Sequence, residues 1–170
     1  MSPGQHRASR YFWDTTSHKN HQKMNPNTSV ESIMTSNLVT VRPDTPLKKV
    51  ADIFSKHSFH HLPVTDGQGM LLGIISREDF AKVAYILSFR ENGKGGNAIC
   101  ASDVMTKYPL SLSPEDSIGL AADIFLANKF HALPIIEGGV LVGLVTTHDL
   151  IAYSFDSPVE ESEELTFDEE

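Results

Sequence analysis

Two short runs in this chain place a hydroxyl and a carboxylate three residues apart at the end of an apolar segment. Gly73-Ile74-Ile75-Ser76-Arg77-Glu78-Asp79 is matched by Gly143-Leu144-Val145-Thr146-Thr147-His148-Asp149. In each, the apolar residues read as a strand and the polar ones as the start of a helix. A helix N-terminus offers unpaired N–H groups and the positive end of a dipole, which suit a phosphate. The hydroxyl of Ser76 or Thr146 can donate to a phosphate or ribose oxygen. The carboxylate of Asp79 or Asp149 can accept from two vicinal ribose hydroxyls, as acidic residues do in dinucleotide folds. The same spacing is also that of a helix capping box, with the acid near the N-terminal dipole. The two readings are compatible, since one pair of side chains can cap a helix and also serve a ligand.

Other chemistries find less support. His57-x-x-His60-His61 has no Cys or carboxylate partner at ligand spacing, so no metal is expected. Cys100 stands beside no His, and neither G-x-S-x-G nor H-E-x-x-H occurs, so the chain is not expected to be an enzyme. A single cysteine excludes an internal disulfide framework and fits a reducing compartment. The net charge of −8 is unevenly placed: eight of the 22 acids follow Leu150, where there is no Lys or Arg. The remaining 14 acids match the 14 Lys and Arg. The body is therefore neutral, without the basic stripe that nucleic-acid binding requires. No apolar run approaches the roughly 20 residues of a membrane-spanning helix. Met1 to Ser29 lacks an apolar h-region, so no secretory signal is read and a cytoplasmic location is expected.

The elements that position these residues come in two copies. Met34-Thr35 recurs as Met105-Thr106, Ala51-Asp52-Ile53-Phe54 as Ala122-Asp123-Ile124-Phe125, and Leu62-Pro63 as Leu133-Pro134. The offset is 71, falling to 70 once Gln68 is skipped, and 16 of 46 aligned positions between 34 and 80 are identical. A short apolar helix (Ile33-Met34; Val104-Met105) leads to a strand, Leu38 to Val41 or Leu110 to Leu112. Thr45 or Asp116 then caps a helix, with Pro46 at the first helical position of the first copy. Leu47, Val50, Ala51 and Phe54 share one helix face, as do Ile118, Ala121, Ala122 and Phe125. Leu62 to Thr65 and Leu71 to Ile75 follow, joined by the hairpin signal Asp66-Gly67-Gln68-Gly69. The second copy has Leu133 to Ile136, Glu137-Gly138-Gly139 and Val140 to Val145. The continuously apolar Leu71 to Ile75 predicts a strand buried on both faces. Pro63 and Pro134 place the preceding strand at an edge or bulge. The order is β-α-β-β-α, twice, in an α/β (α+β) fold. Neither copy is large enough to be secure alone. The two are expected to pack face to face around a shared core and a pseudo-twofold axis.

The doubled pattern, "VMT…ADIF…FHALPI…GGVLVGLVTTHDL" with its twin "IMT…ADIF…FHHLPV…GIISREDF", resembles the CBS domain. Two in tandem look like a CBS pair, or Bateman module. The expected divisions are a polar extension over 1–28, one CBS domain over 29–91 and a Gly-rich linker over 92–97. A second CBS domain over 98–155 and an acidic tail over 156–170 follow. The resemblance implies a non-catalytic regulatory module that senses AMP, ADP, ATP or S-adenosylmethionine. It also implies a homodimer and a regulated enzyme or transporter as partner. It gives Asp79 and Asp149 the ribose, and Ser76 and Thr146 the ribose or phosphate. It brings His60, His61 and His131 towards phosphates, and Thr40 and Ser111 to the pocket wall. For those three histidines, a ring wedged against the core is the plainer alternative; for Thr40 and Ser111, a simple strand residue is. Ile33, Val39, Met105 and Leu110 could line an adenine slot, but each reads first as plain core. The copies differ: Arg77 and His61 in the first stand where the second has Thr147 and Ala132. If both sites bind, the first should favour more phosphates, since Arg pairs with them bidentately. A different class of function remains open, a structural dimerisation module that binds no nucleotide.

Overall fold

The computed structural model describes residues 25–88, 99–128 and 130–156. The linker, most of the N-terminal extension and nearly all of the acidic tail lie outside them. The first copy contains helix α1 (Leu47–Lys56), strands β1 (His61–Thr65) and β2 (Leu71–Ser76), and helix α2 (Arg77–Ser88). Then come the short helix α3 (Ala101–Val104) and strand β3 (Thr106–Lys107). The second copy follows with α4 (Ile118–Ala127), β4 (Ala132–Glu137), β5 (Val140–Thr146) and α5 (Thr147–Asp156). A 3₁₀ turn, Val30–Ser32, opens the described chain.

Both hairpins form where the glycines predict them. β1 pairs antiparallel with β2, and β4 with β5. Gly69 and Gly139 hold φ of 85° and 89°, values that cost most other residues 1–2 kcal/mol. The prolines are edge residues, as expected. The carbonyl of Pro63 faces away from β2 and accepts from Val41 N at 3.1 Å; that of Pro134 accepts from Leu112 N at 3.0 Å. Because a residue's N and O point the same way in a strand, the missing proline N–H removes no bond from either hairpin. Each hairpin strand also carries a register shift, between Val64 and Thr65 and between Ile135 and Ile136.

Several expectations shift. The strands read at Leu38 to Val41 and Leu110 to Leu112 contract to single parallel bridges, Val41 to Val64 and Leu112 to Ile135. Val39 and Leu110 are exposed, so nothing packs against alternate residues to extend the pairing. α1 begins at Leu47, not Pro46, whose ψ of 141° is extended. Thr45 caps nothing: its hydroxyl accepts from Arg42 N at 3.0 Å and closes the turn before the helix. Asp116 does the same for Ser113 N at 2.7 Å, leaving Ser117 to cap α4 through Leu120 N. β2 is not buried on both faces. Gly73 and Ile75 are buried, while Leu71, Leu72 and Ile74 are half-buried.

The main departure concerns what each copy packs against. Among the described residues there is no single shared core but two. Leu47, Val50, Phe54, Leu62, Val64 and Ile75 cluster with Ala101, and Ile99 and Met105 border them. Ile118, Ala121, Phe125, Leu133, Ile135 and Val145 cluster with Val30, bordered by Ile33 and Met34. Each copy's opening segment therefore completes the core of the other. Hydrogen bonds repeat the exchange at the offset of 71. Leu47 N donates to Ile99 O at 2.9 Å and Ile118 N to Thr28 O at 2.8 Å. Ala101 N donates to Thr45 O and Val30 N to Asp116 O, both at 2.8 Å. β3 pairs with β2 through Thr106 and Ile74, and Thr35 bridges Leu144 in the same way. The hairpin tips also join, Leu141 N to Gly69 O at 3.0 Å and Leu71 N to Gly139 O at 3.4 Å. The pseudo-twofold symmetry is thus written in matched pairs of bonds.

Candidate functional site

β2 and β5 each run directly into a helix, and the hydroxyl–carboxylate pairs sit at that corner. Ser76 Oγ donates to Asp79 Oδ2 at 2.8 Å, and Asp79 N donates back to Ser76 Oγ at 3.0 Å. Thr146 Oγ1 donates to Asp149 Oδ2 at 2.7 Å, and Thr146 N reaches the same oxygen at 2.7 Å. Asp149 N closes the second ring to Thr146 Oγ1 at 3.4 Å. Thr146 and Asp149 thus form a full capping box on α5, while Ser76 caps α2 through Asp79 N and holds the Asp79 carboxylate by its hydroxyl alone. Asp79 is exposed, while Asp149 is half-buried.

The histidines lie at the same corners. Arg77 N, the first N–H of α2, donates to His60 O at 2.7 Å; Thr147 N, the first of α5, donates to His131 O at 3.2 Å. The His60 and His131 side chains are exposed, and His61 is half-buried at the start of β1. Burial, and then the charges of His60 and His131, push the His61 pKa down to about 4; Asp79 acts the other way. The influence of His131 on His61 brings a residue of each copy into one electrostatic neighbourhood. His61 is therefore neutral at pH 7. Among the described residues no group of three His, Cys, Asp or Glu side chains is placed to hold a metal.

Thr40 and Ser111 each directly precede a bridging residue, Val41 and Leu112. Thr40 is exposed and Ser111 half-buried. Of the adenine-slot residues, Ile33 and Met105 border the two cores, whereas Val39 and Leu110 are 38% and 52% exposed and so are not core. Met105 and Met34 take equivalent places over the strands that end in the site. Their thioethers fill the hollows above Gly73 and Gly143, where a Cβ would collide with them.

Arg77 is placed differently from its expected role. Its Nε and Nη2 both donate to Phe59 O, at 3.3 and 3.0 Å, and Nη2 also donates to His57 O. Its guanidinium carbon lies 5.1 Å from the centre of the Phe54 ring. The Nε–Nη2 edge, the fork that would grip a phosphate bidentately, is already committed to backbone. The cation beside Asp79 is instead Lys82, 3.4 Å from Asp79 Oδ1 and 2.9 Å from Glu78. Glu78 is the main cause that raises the Lys82 pKa, with Asp79 second. Helical spacing from Glu78 (i, i+4) and Asp79 (i, i+3) was the signal that could have found it. The second copy has Ala152 at the matching place.

This geometry stands beside clear likenesses. Residues 30–85 and 101–156 each match the CBS domain family, and the chain belongs to it as a tandem pair. The CBS domain-containing protein YhcV of Bacillus subtilis is 30% identical over 122 residues, covering 72% of this chain and 82% of that one. An inosine-5'-monophosphate dehydrogenase of Korarchaeum cryptofilum is 32% identical over 121 residues. That match covers 71% of this chain, which spans only 23% of the larger enzyme. Among solved structures, CBSX2 in complex with AMP superposes with a TM-score of 0.65 at 25% identity, covering 75% of this chain and 96% of that one. The CBS pair of protein MJ0100, in complex with 5'-methylthioadenosine and S-adenosylmethionine, gives a TM-score of 0.62 at 25% identity. It covers 75% and 95% of the two chains. No helix among the described residues is long and apolar enough to cross a membrane.

Proposed function

We propose that this CBS pair is a non-catalytic regulatory module that senses an adenosyl ligand, AMP, ADP, ATP or S-adenosylmethionine. One observation carries the reading: a hydroxyl, a carboxylate and a histidine-bearing loop converge at a strand–helix corner, and the whole corner occurs twice. Asp79 and Asp149 take the ribose, and Ser76 and Thr146 the ribose or phosphate. His60 and His131 supply positive charge when protonated, and Thr40 and Ser111 border the pocket. The complexes of CBSX2 and MJ0100 with adenosyl compounds support the ligand class. Signalling follows from population shift: a ligand that fits one relative orientation of the copies favours it, and a partner reads that orientation. The partner is an enzyme or transporter, and the module works as a cytoplasmic homodimer, flanked in sequence by a polar extension and an acidic tail.

The capping bonds favour a second reading, a dimerisation module in which the four residues only close their helices. Thermal shift with AMP, ATP and S-adenosylmethionine separates the two. At a hundred times the dissociation constant, a ligand adds about 2.7 kcal/mol, or about 5 to 11 °C in Tm for a chain of this length. No shift with any adenosyl ligand leaves the second reading standing. A monomer in equilibrium sedimentation at micromolar concentration, with and without ligand, removes the dimer from either.

A further inference from the structure

We propose that Arg77 is a positioning residue for the first site. It holds the loop that presents His60 and His61, and does not grip the ligand itself. The inference rests on the nucleotide-sensing reading above and adds an asymmetry between the two sites.

Arg77 holds three carbonyls of this loop and rests on the core beside it. Its guanidinium donates to the carbonyls of His57 and Phe59. It lies over Phe54, which is 3% exposed and belongs to the first core. Phe59 meets Phe54 edge-on at 6.1 Å and stacks with His57 at 5.1 Å, so the loop's aromatic rings lean on the same anchor. Arg77 N then takes the His60 carbonyl. The loop between α1 and β1 is thereby fixed to the core on one side and to the N-terminus of α2 on the other. His60 and His61 are the next residues along.

The second copy keeps the two phenylalanines in its sequence and lacks the clamp. Phe125 and Phe130 stand where Phe54 and Phe59 do, and Asn128 where His57 does. Thr147 replaces Arg77 and retains only the backbone bond to His131, at 3.2 Å against 2.7 Å. A loop ordered before binding costs less to order on binding. The first site should therefore bind adenosyl ligands more tightly than the second, by a factor that does not depend on phosphate number.

Three variants test this: Arg77→Ala, Arg77→Lys and Thr147→Arg. Without nucleotide, hydrogen exchange of the 57–61 segment should speed up in Arg77→Ala and stay fast in Arg77→Lys, since an ammonium cannot span two carbonyls and cover a ring. Thr147→Arg should slow exchange around Phe130 and His131. In calorimetry, Arg77→Ala should weaken AMP, ADP and ATP at one site by the same factor, about three- to tenfold, without rescue by Lys. Thr147→Arg should tighten the other site by a similar factor. A loss that grows from AMP to ATP, or that Lys restores, makes Arg77 a direct phosphate contact and overturns the proposal. Unchanged exchange in a folded Arg77→Ala overturns the clamp. If Arg77→Ala does not fold, a Thr147→Arg that slows nothing overturns it equally. Should the wild type bind no adenosyl ligand, the positioning role falls with the sensing reading, and the exchange data alone judge the clamp.

Discussion

Asp79 and Asp149 each have a task that the structure displays and a second that the proposed function assigns. The two make different demands on a mutant. As N3 acids that hold the N-cap hydroxyl beside the helix dipole, their loss should lower the Tm of the protein without ligand by a small and similar amount. As ribose acceptors, each should weaken its own site by about 1.5–3 kcal/mol when replaced by Ala. Asp79→Ala with Asp149→Ala should then show almost no nucleotide-dependent Tm shift. A double variant that keeps the wild-type shift removes the ribose role and leaves the caps. His61 supplies a separate expectation. Its folded pKa, about 4, lies below the 6.5 of an unfolded histidine. The unfolded chain therefore takes up the proton first. The contribution is complete above about pH 6.5, and it is lost as the pH falls through 6.5 towards 4. A fully shielded ring would account for about 3 kcal/mol; half-burial and solvent screening reduce this to about 1–2 kcal/mol. Urea midpoints from pH 7 to 4.5 should fall less steeply in His61→Gln than in the wild type, and parallel curves would refute this.

At the scale of elements, the contacts between copies turn on close approach to glycine. A Cβ on Gly73 would stand 2.6 Å from Met105 Sδ and 2.8 Å from Thr106 O, a backbone atom of the paired strand. The three atoms nearest to a Cβ on Gly143 all belong to the side chain of Met34. A methionine can rotate away, but a hydrogen-bonded strand cannot without opening its ladder. Gly73→Ala should therefore cost about 1–3 kcal/mol, and more than Gly143→Ala, in urea denaturation. Equal losses would mean that β3 yields as readily as a side chain. Elements of this kind were partly legible in the sequence. The hairpins, the buried face of Leu47, Val50 and Phe54, and the edge prolines follow from period and turn chemistry, which are local. α1 and α4 start one residue later than residue type implies, because the Thr45 hydroxyl and the Asp116 carboxylate accept from Arg42 N and Ser113 N, upstream of the helix. Lys82 and Arg77 show the same limit at the site. Glu78, Asp79 and Lys82 share one helix, so spacing could have paired them. Arg77 answers to carbonyls about 20 residues upstream, which no periodicity records.

Across the whole molecule, burial was legible and partnership was not. Val30 and Ala101 are both fully buried, just ahead of the apolar pairs Ile33-Met34 and Val104-Met105. A pattern says that a residue leaves water without saying which core receives it. Because Val30 enters the second core and Ala101 the first, neither copy holds all of its own interior. A fully buried valine is worth about 1.5–3 kcal/mol, and the exchanged backbone bonds add to that. Fragments 25–91 and 98–156, made separately, should each melt without cooperativity, and mixing them should restore a sharp transition by circular dichroism. Two sharp independent transitions would show that the exchange is dispensable.

One bond lends this exchange a further meaning. Thr28 Oγ1 and Tyr153 Oη lie 3.0 Å apart, so the head of the described chain rests on its last helix. The described residues between 36 and 107 make up one half of the molecule, and those from 108 to 156 make up the other together with residues 25–35. The molecule is a closed circuit of two similar arcs, opened at a seam between Tyr153 and Thr28. Which copy comes first is then a property of the gene and not of the fold. A circular permutant that joins the last helix to residue 25 and begins near Ser36 would hold every contact described above, with each core built from a single uninterrupted stretch of chain.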